Sequence, residues 1–200
     1  EIAIAFTYNS NSIEGSTITL DETRDIIQNK MSPNKPIDEV KETEQHSNTF
    51  LNMLESSEEM STELILKWHK EIFGDTKNDI AGKYRDYLVR VGDYIAPDWQ
   101  DVQQHMRELV RFCNKRQMSA VELAGRVHYR FEMIHPFGDG NGRIGRLLMN
   151  YILWSHGYPM LIIEYTKRKS YYRALQKNEE GFLTYFLHRY LAVHRKRYSS

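Results

Sequence analysis

Apolar residues along this chain recur mainly at spacings of three and four, the interval that lines one face of a helix. Residues 3–14 predict a first helix, with Gly15 just past its end in the position where chains turn left-handed. Thr19-Leu20-Asp21-Glu22 is a capping box, predicting a short helix to about residue 30. A loop over 31–35 yields at Pro36 to a longer helix, whose Val40, Phe50, Leu51 and Leu54 sit among many charges and predict a half-exposed element. Ser61 caps the next helix, where Leu64, Ile65, Trp68, Ile72 and Phe73 form an inward stripe. Residues 74–82 are polar and Gly-bounded, a loop.

The period then changes. Residues 84–96 are rich in β-branched and aromatic side chains around Gly92-Asp93 and close at Pro97, which predicts a hairpin of 88–91 against 94–96. No other strand signal stands out. Asp98 or Asp101 opens a helix through Val102, Met106, Leu109, Val110 and Phe112, and Ser119 with Glu122 makes a second capping box before a helix running to Ile134. Another helix spans 144–154 and stops at Gly157, with Pro159 beyond. The pattern leaves the type of the apolar run 160–163 open. Residues 169–178 and 181–195 read as two last helices, and the His194-Arg195-Lys196-Arg197 tail as a solvated end. The sum is an all-α bundle with one hairpin.

Two hundred residues at 40% hydrophobic content suit one sizeable domain. Lys plus Arg balance Asp plus Glu at 27 each, so no general field favours nucleic acid or a membrane surface. A single cysteine, Cys113, rules out an internal disulfide framework and suits a reducing compartment. No apolar run approaches the roughly 20 residues that span a bilayer. The chain begins at Glu1 without Met or a signal-like segment, as a trimmed chain would. A cytoplasmic protein with no direct nucleic-acid or membrane partner is the expectation.

Chemistry concentrates in His135-Pro136-Phe137-Gly138-Asp139-Gly140-Asn141-Gly142-Arg143-Ile144-Gly145-Arg146, between two predicted helices. Gly140 and Gly142 suit positive φ, which lets successive N–H groups converge on an anion. The helix N-terminus behind them adds unpaired donors. Arg143 and Arg146, three apart, can meet phosphate with bidentate geometry. His135 has the ordinary pKa of a neutral-pH base, and Asp139 is the hard oxygen ligand that Mg²⁺ takes beside phosphates. A plain turn also favours Asp, Asn and Gly, but it has no need of His135 and two arginines. A P-loop is excluded because no Gly-Lys-Ser/Thr follows. Glu132-x-x-His135, with His128 on the same face, has di-iron spacing. None of the other seven histidines has Glu three residues earlier, so His128 reads as a core histidine.

The pattern His-Pro-Phe-x-Asp-Gly-Asn-Gly-Arg-x-x-Arg over 135–146 resembles the signature of the Fic-domain family in full. Gly82-Lys83-Tyr84-Arg85 before the hairpin resembles that family's flap segment, and Tyr171-Tyr172-Arg173-Ala174-Leu175 its later nucleotide-side segment. The resemblance implies a Fic-type helical bundle with a hairpin flap over the active site. It also implies transfer of AMP from ATP to a Tyr, Ser or Thr hydroxyl of a target protein, with self-modification. On that resemblance His135 is the base and Asp139 holds Mg²⁺. Gly138, Gly140, Asn141, Gly142, Arg143 and Arg146 hold phosphates, while Tyr172 and Asn178 lie on the adenine side. Leu88, Val89, Arg90, Val91, Tyr94 and Ile95 form the target-docking flap.

Ser10-Asn11-Ser12-Ile13-Glu14-Gly15 is similar to the family's Ser/Thr-x-x-x-Glu-Gly/Asn inhibitory motif, and its place near the N-terminus to the class whose inhibitory helix precedes the core. The expected layout is one Fic-like domain over 1–200, with an inhibitory helix over about 1–15 and a core over about 61–189. Glu14, with Ser10 in the same motif, would then inhibit by pairing with Arg146. The alternatives are removal of AMP by the same site, transfer of phosphate, UMP or phosphocholine, and a silent nucleotide-sensing module. An apolar face on the 36–56 helix is a candidate for homo-oligomer pairing.

Overall fold

Capping side chains set where several helices begin. In this computed structural model, which describes residues 1–115 and 117–198 (the last three by backbone alone), helix α1 (Ile2–Ile13) ends at Glu14, with Gly15 at φ +91°. Thr19 caps α2 (Leu20–Arg24) with both bonds of the capping box, and the helix continues as a π-turn over Asp25–Asn29. Pro36 precedes α3 (Ile37–Glu55), and Ser61 accepts from the Leu64 N–H to start α4 (Thr62–Phe73). Asp98 caps a 3₁₀ turn that leads into α5 (Val102–Asn114). Ser119 caps α6 (Ala120–Ile134), but only half a capping box forms, because Glu122 turns to Arg126. Then come α7 (Asn141–Ser155), α8 (Arg168–Leu175) and α9 (Glu179–Tyr198). These are the nine α-helices of the described residues. The Lys196-Arg197 part of the tail lies outside the described side chains.

Helix α7 is the centre, because every residue from 143 to 153 is buried. A helix buried around its whole circumference must have neighbours on all sides. Here α6 packs along it, α1, α3 and α4 close its other faces, and α5 and α9 cover the outside of α6. One continuous core runs through Phe50, Trp68, Phe73, Phe131, Phe137, Ile144, Leu147 and Phe186. A small satellite of Ile18, Ile26 and Val40 ties α2 and its π-turn to α3. No helix of the described residues is long and apolar enough to cross a membrane.

Two expectations need correction. The hairpin is shorter than predicted, with β1 (Arg90–Val91) and β2 (Tyr94–Ile95) paired antiparallel, Arg90 opposite Ile95. The Ala96 N–H to Val89 carbonyl bond extends the pairing, and Leu88 stays outside it. With all four strand residues exposed, there is no buried face to lengthen the ladder. Helix α3 is half-exposed, as expected, and its inward face is largely polar, with Glu42, Thr43, His46, Ser47 and Thr49 buried beside Phe50 and Met53. The second correction is that its exposed large apolar residues, Ile37 and Leu51, lie nearly four turns apart and form no continuous face for pairing.

The open run 160–163 is extended, with Met160, Leu161 and Ile163 buried. Asn150 of α7 holds it, donating from Nδ2 to the Leu161 carbonyl at 3.0 Å and accepting the Leu161 N–H at 2.8 Å. Asn150→Ala is expected to strand both backbone groups and lower stability by about 2–4 kcal/mol. Urea unfolding should show a lower midpoint at unchanged m-value.

Candidate active site

His135 ends α6 in the left-handed region at φ +50°, a costly conformation for a residue with a Cβ. Arg85 over-determines it. Nearly fully buried, Arg85 donates from Nε to the His135 carbonyl at 2.7 Å and from its other nitrogens to the Ile134, Tyr87 and Pro97 carbonyls. One guanidinium thus ties the loop that follows α6 to both ends of the flap. The His135 Nδ1 donates to the Glu132 carbonyl at 3.4 Å, leaving Nε2 as an acceptor. Burial lowers the His135 pKa, and nearby Arg85 adds to the effect, so the neutral ring is favoured.

The loop after His135 is held from beneath. Asn141 spends its amide on Phe137, accepting the Phe137 N–H at 2.9 Å and donating to its carbonyl at 2.8 Å. The resemblance gives this side chain to phosphates, whereas here it closes the loop. Phe137 stacks on His69 at 3.9 Å between centroids. His69 accepts the Gly82 N–H at Nδ1, which fixes Nε2 as the donor to the Asp139 carbonyl at 2.9 Å. Burial pushes the His69 pKa down to about 4, so it is a neutral structural strut. Gly140 takes φ +85°, where a Cβ would also strike the Phe73 ring. Gly142, expected at positive φ, is helical. It is small for another reason: a Cβ there would collide with the Glu14 carboxylate.

Glu14 therefore sits on the first turn of α7, where N–H groups lack partners and the helix dipole favours an anion. Its Oε1 accepts from the Arg146 Nη2 at 2.6 Å. Arg146 is 2% exposed and also donates from Nε to the Ser10 hydroxyl, from Nη2 to the Ser10 carbonyl and from Nη1 to the Tyr171 hydroxyl. Burial opposes its charge, but Glu14 and its other neighbours more than compensate and hold its pKa above the ordinary value.

The two arginines diverge. Arg143 points to α3, donating from Nη1 to Glu42 Oε2 at 2.6 Å while its guanidinium lies over the Phe73 ring. Its Nη2 is 3.6 Å from Asp139 Oδ1. Lys77 reaches both Glu42 and, at 3.4 Å, Asp139 Oδ2. Burial would raise the Asp139 pKa, but Arg143 and the Gly140 N–H outweigh it and favour the carboxylate. No cluster of three or more metal-ligating side chains occurs among the described residues. A lone ionised carboxylate fits a Mg²⁺ ion whose other ligands are phosphate oxygens and water.

A cavity of about 610 Å³ gathers Glu14, His135, Gly142, Arg146, Tyr171, Tyr172 and Asn178 with Val91 and Tyr94 of the flap. Tyr172 donates to the Ile13 carbonyl at 2.9 Å, and Asn178 accepts the Gly181 N–H as it opens α9. Tyr94 donates to the Met133 carbonyl and pins the flap beside His135. Leu88 and Ile95 are exposed, and neither they, Val89 nor Arg90 line the cavity. A second cavity, of about 200 Å³, holds Lys77, Asp139, Arg143 and Glu42, and Glu14 lines both. Gly138 abuts the Tyr87 hydroxyl under the flap. Glu132 lines the larger cavity, its pKa pushed up by burial to about 8.

Sequence reading missed Glu42, Lys77, His69 and Arg85 as parts of this site. Their only signals were a charge inside a helix, a polar loop, a histidine on an apolar stripe and an arginine before the flap.

The profile of the Fic/DOC family matches residues 59–153. The chain is 35% identical over 188 residues to "Protein adenylyltransferase Fic" of Nematostella vectensis, covering 90% of this chain and 44% of that protein. It is 32% identical over 203 residues to "Protein adenylyltransferase fic-1" of Caenorhabditis elegans, covering 97% of this chain and 40% of that one. The chain thus spans less than half the length of these relatives. Among solved structures, the C. elegans Fic-1 fragment superposes with a TM-score of 0.86 at 29% identity, covering 100% of this chain and 65% of that one. A Fic domain-containing signaling protein of Bacteroides thetaiotaomicron superposes at 0.84 and 25% identity, covering 100% and 88%.

Ser10→Ala is expected to leave the buried Arg146 Nε without its acceptor and to loosen α1. Hydrogen exchange should show faster exchange of α1 amides, with protection of α6 and α7 unchanged.

Proposed function

The chain belongs to the Fic/DOC family, and on that premise we propose that it is an autoinhibited protein adenylyltransferase, moving AMP from ATP to a hydroxyl of a target protein. The observation that carries this reading is the occupant of the anion seat. A carboxylate, Glu14, lies on the α7 N-terminus against Arg146, in the cavity that His135 faces. A phosphate group has the same charge and the same hydrogen-bonding needs.

In the working state α1 withdraws and ATP phosphates replace Glu14. The neutral His135 Nε2 takes the proton of the target hydroxyl as its oxygen attacks the α-phosphorus in line. The bond from the α-phosphorus to the bridging oxygen breaks, and pyrophosphate leaves with that oxygen. Arg146 and the N–H groups at the start of α7 stabilise the charge that builds on the phosphates. Asp139 would hold Mg²⁺, which would neutralise phosphate charge. Tyr172 and Asn178 border the base side, and the exposed hairpin offers a strand edge on which a target segment can dock by backbone pairing. The core that does this work corresponds to about residues 61–189, preceded by the inhibitory helix.

A second reading is hydrolysis of the AMP–protein bond by the same site. It draws on Glu14 facing the same cavity as His135, where a carboxylate can orient a water.

Glu14→Gly should increase incorporation of α-labelled ATP into protein at least tenfold, and adding His135→Ala should remove about 10²–10⁴-fold of that rate. Equal incorporation by the parent chain and Glu14→Gly would refute the inhibitory role. Release of AMP from labelled protein by the parent chain but not by Glu14→Gly would favour hydrolysis. Because burial lowers the His135 pKa, the base stays neutral to lower pH than a free imidazole. The rate should fall only as pH drops below the ordinary value of about 6.5. A pH profile of Glu14→Gly tests this.

A further inference from the structure

Glu42 is buried at 6% exposure in the middle of α3, and three donors from two other segments converge on it. Its Oε2 accepts from Arg143, and its Oε1 accepts from the Thr76 hydroxyl at 2.8 Å and from Lys77. The same two cations face Asp139 on their other side, at the longer separations of 3.6 Å and 3.4 Å. Both therefore lean toward Glu42. Asp139 is the half-exposed member of the four and the one open to an incoming ion, whereas Glu42 is sealed.

Without the Glu42 charge, two cations would have one carboxylate between them. Arg143 lies one turn from Asp139 and can swing its fork onto it. Any divalent ion would then compete with both for the same oxygens. Resting on the nucleotide-transfer reading above, we infer that Glu42 is a positioning residue that restrains Arg143 and Lys77, keeping Asp139 available to a divalent cation bound with the nucleotide. The Arg143 guanidinium lies over the Phe73 ring with its Nε left without a partner, which fits a side chain held toward Glu42 rather than poised for a bidentate phosphate. Burial would raise the Glu42 pKa, but Arg143 and Lys77 outweigh it, which agrees with a permanently charged anchor.

The test uses the Glu14→Gly chain, in which the anion seat is open, and a non-hydrolysable ATP analogue followed by calorimetry across a Mg²⁺ titration. Adding Glu42→Gln should raise the Mg²⁺ concentration at half-maximal binding about 10–100-fold, the usual effect of losing a residue that orients a metal ligand. Affinity for the analogue in EDTA should stay within about twofold, and excess Mg²⁺ should restore AMP incorporation. Glu42→Asp, which keeps the charge, should recover most of the midpoint. Lys77→Met removes one competing cation at a partly exposed position, needs no buried change, and should move the midpoint down. An unchanged midpoint in both Glu42→Gln and Lys77→Met, or a loss of metal-free binding that Mg²⁺ does not restore, overturns the inference alone. Failure of Glu14→Gly to bind the analogue at any Mg²⁺ concentration overturns the transfer reading together with it.

Discussion

A guanidinium buried in the middle of a protein has to be answered by an anion, and Arg146 is the point on which this structure turns. It projects from the central helix α7 into a space that α1 and Tyr171 of α8 close. Removing the partner of a buried ion pair costs far more than the pair contributes as a whole. Arg146 therefore cannot be left alone, but its anion can be exchanged. Glu14 satisfies it from within the chain, and a phosphate can satisfy it from outside. In the proposed exchange the two states would differ by which anion is present, and a ligand's differential affinity for them would set the balance.

The element carrying Glu14 is attached in a way that suits such an exchange. Helices α6 and α7 meet through Phe131, Ile144, Leu147 and Leu148, a mainly apolar contact that also encloses His128 and Glu132 beside Gly145. Helix α1 meets α3 partly through Phe6 and Phe50, which stack at 4.6 Å, but also through polar groups. Thr7 pairs with His46, whose pKa burial pushes down to about 3, so no charge supports that contact. The Asn11 amide, the Ser47 hydroxyl and the second nitrogen of His46 are buried without partners. Such groups regain hydrogen bonds with water when the interface opens, which lowers the cost of local undocking relative to global unfolding.

The remaining chemistry is prepared by rigid supports contributed from far along the chain. Arg85, His69 and Asn141 each satisfy backbone atoms of residues 134–139, so the strained turn at His135 and the seat before α7 exist before any ligand arrives. Catalysis of group transfer between phosphates relies on such positioning more than on covalent participation.

Local patterns determined much of this protein. Caps at Thr19, Ser61 and Ser119, the periodic apolar stripes and the turn residues of the hairpin are statements about neighbours three or four apart, and they placed the helices and the flap. The twelve residues of 135–146 likewise stood out in sequence, although the folded chain turns Asn141 to Phe137 and Arg143 to Glu42. What tertiary structure alone decided was which charges meet. Glu42 and Arg143 are 101 residues apart, and Arg85 lies 50 residues before the carbonyl it holds. On α3 a buried Glu42 and a partly exposed Glu44 look alike in sequence, because burial depends on what packs against a face and not on the residue. The sequence could set two arginines one turn apart at the start of a helix, but only the folded chain could assign one to Glu14 and the other to Glu42.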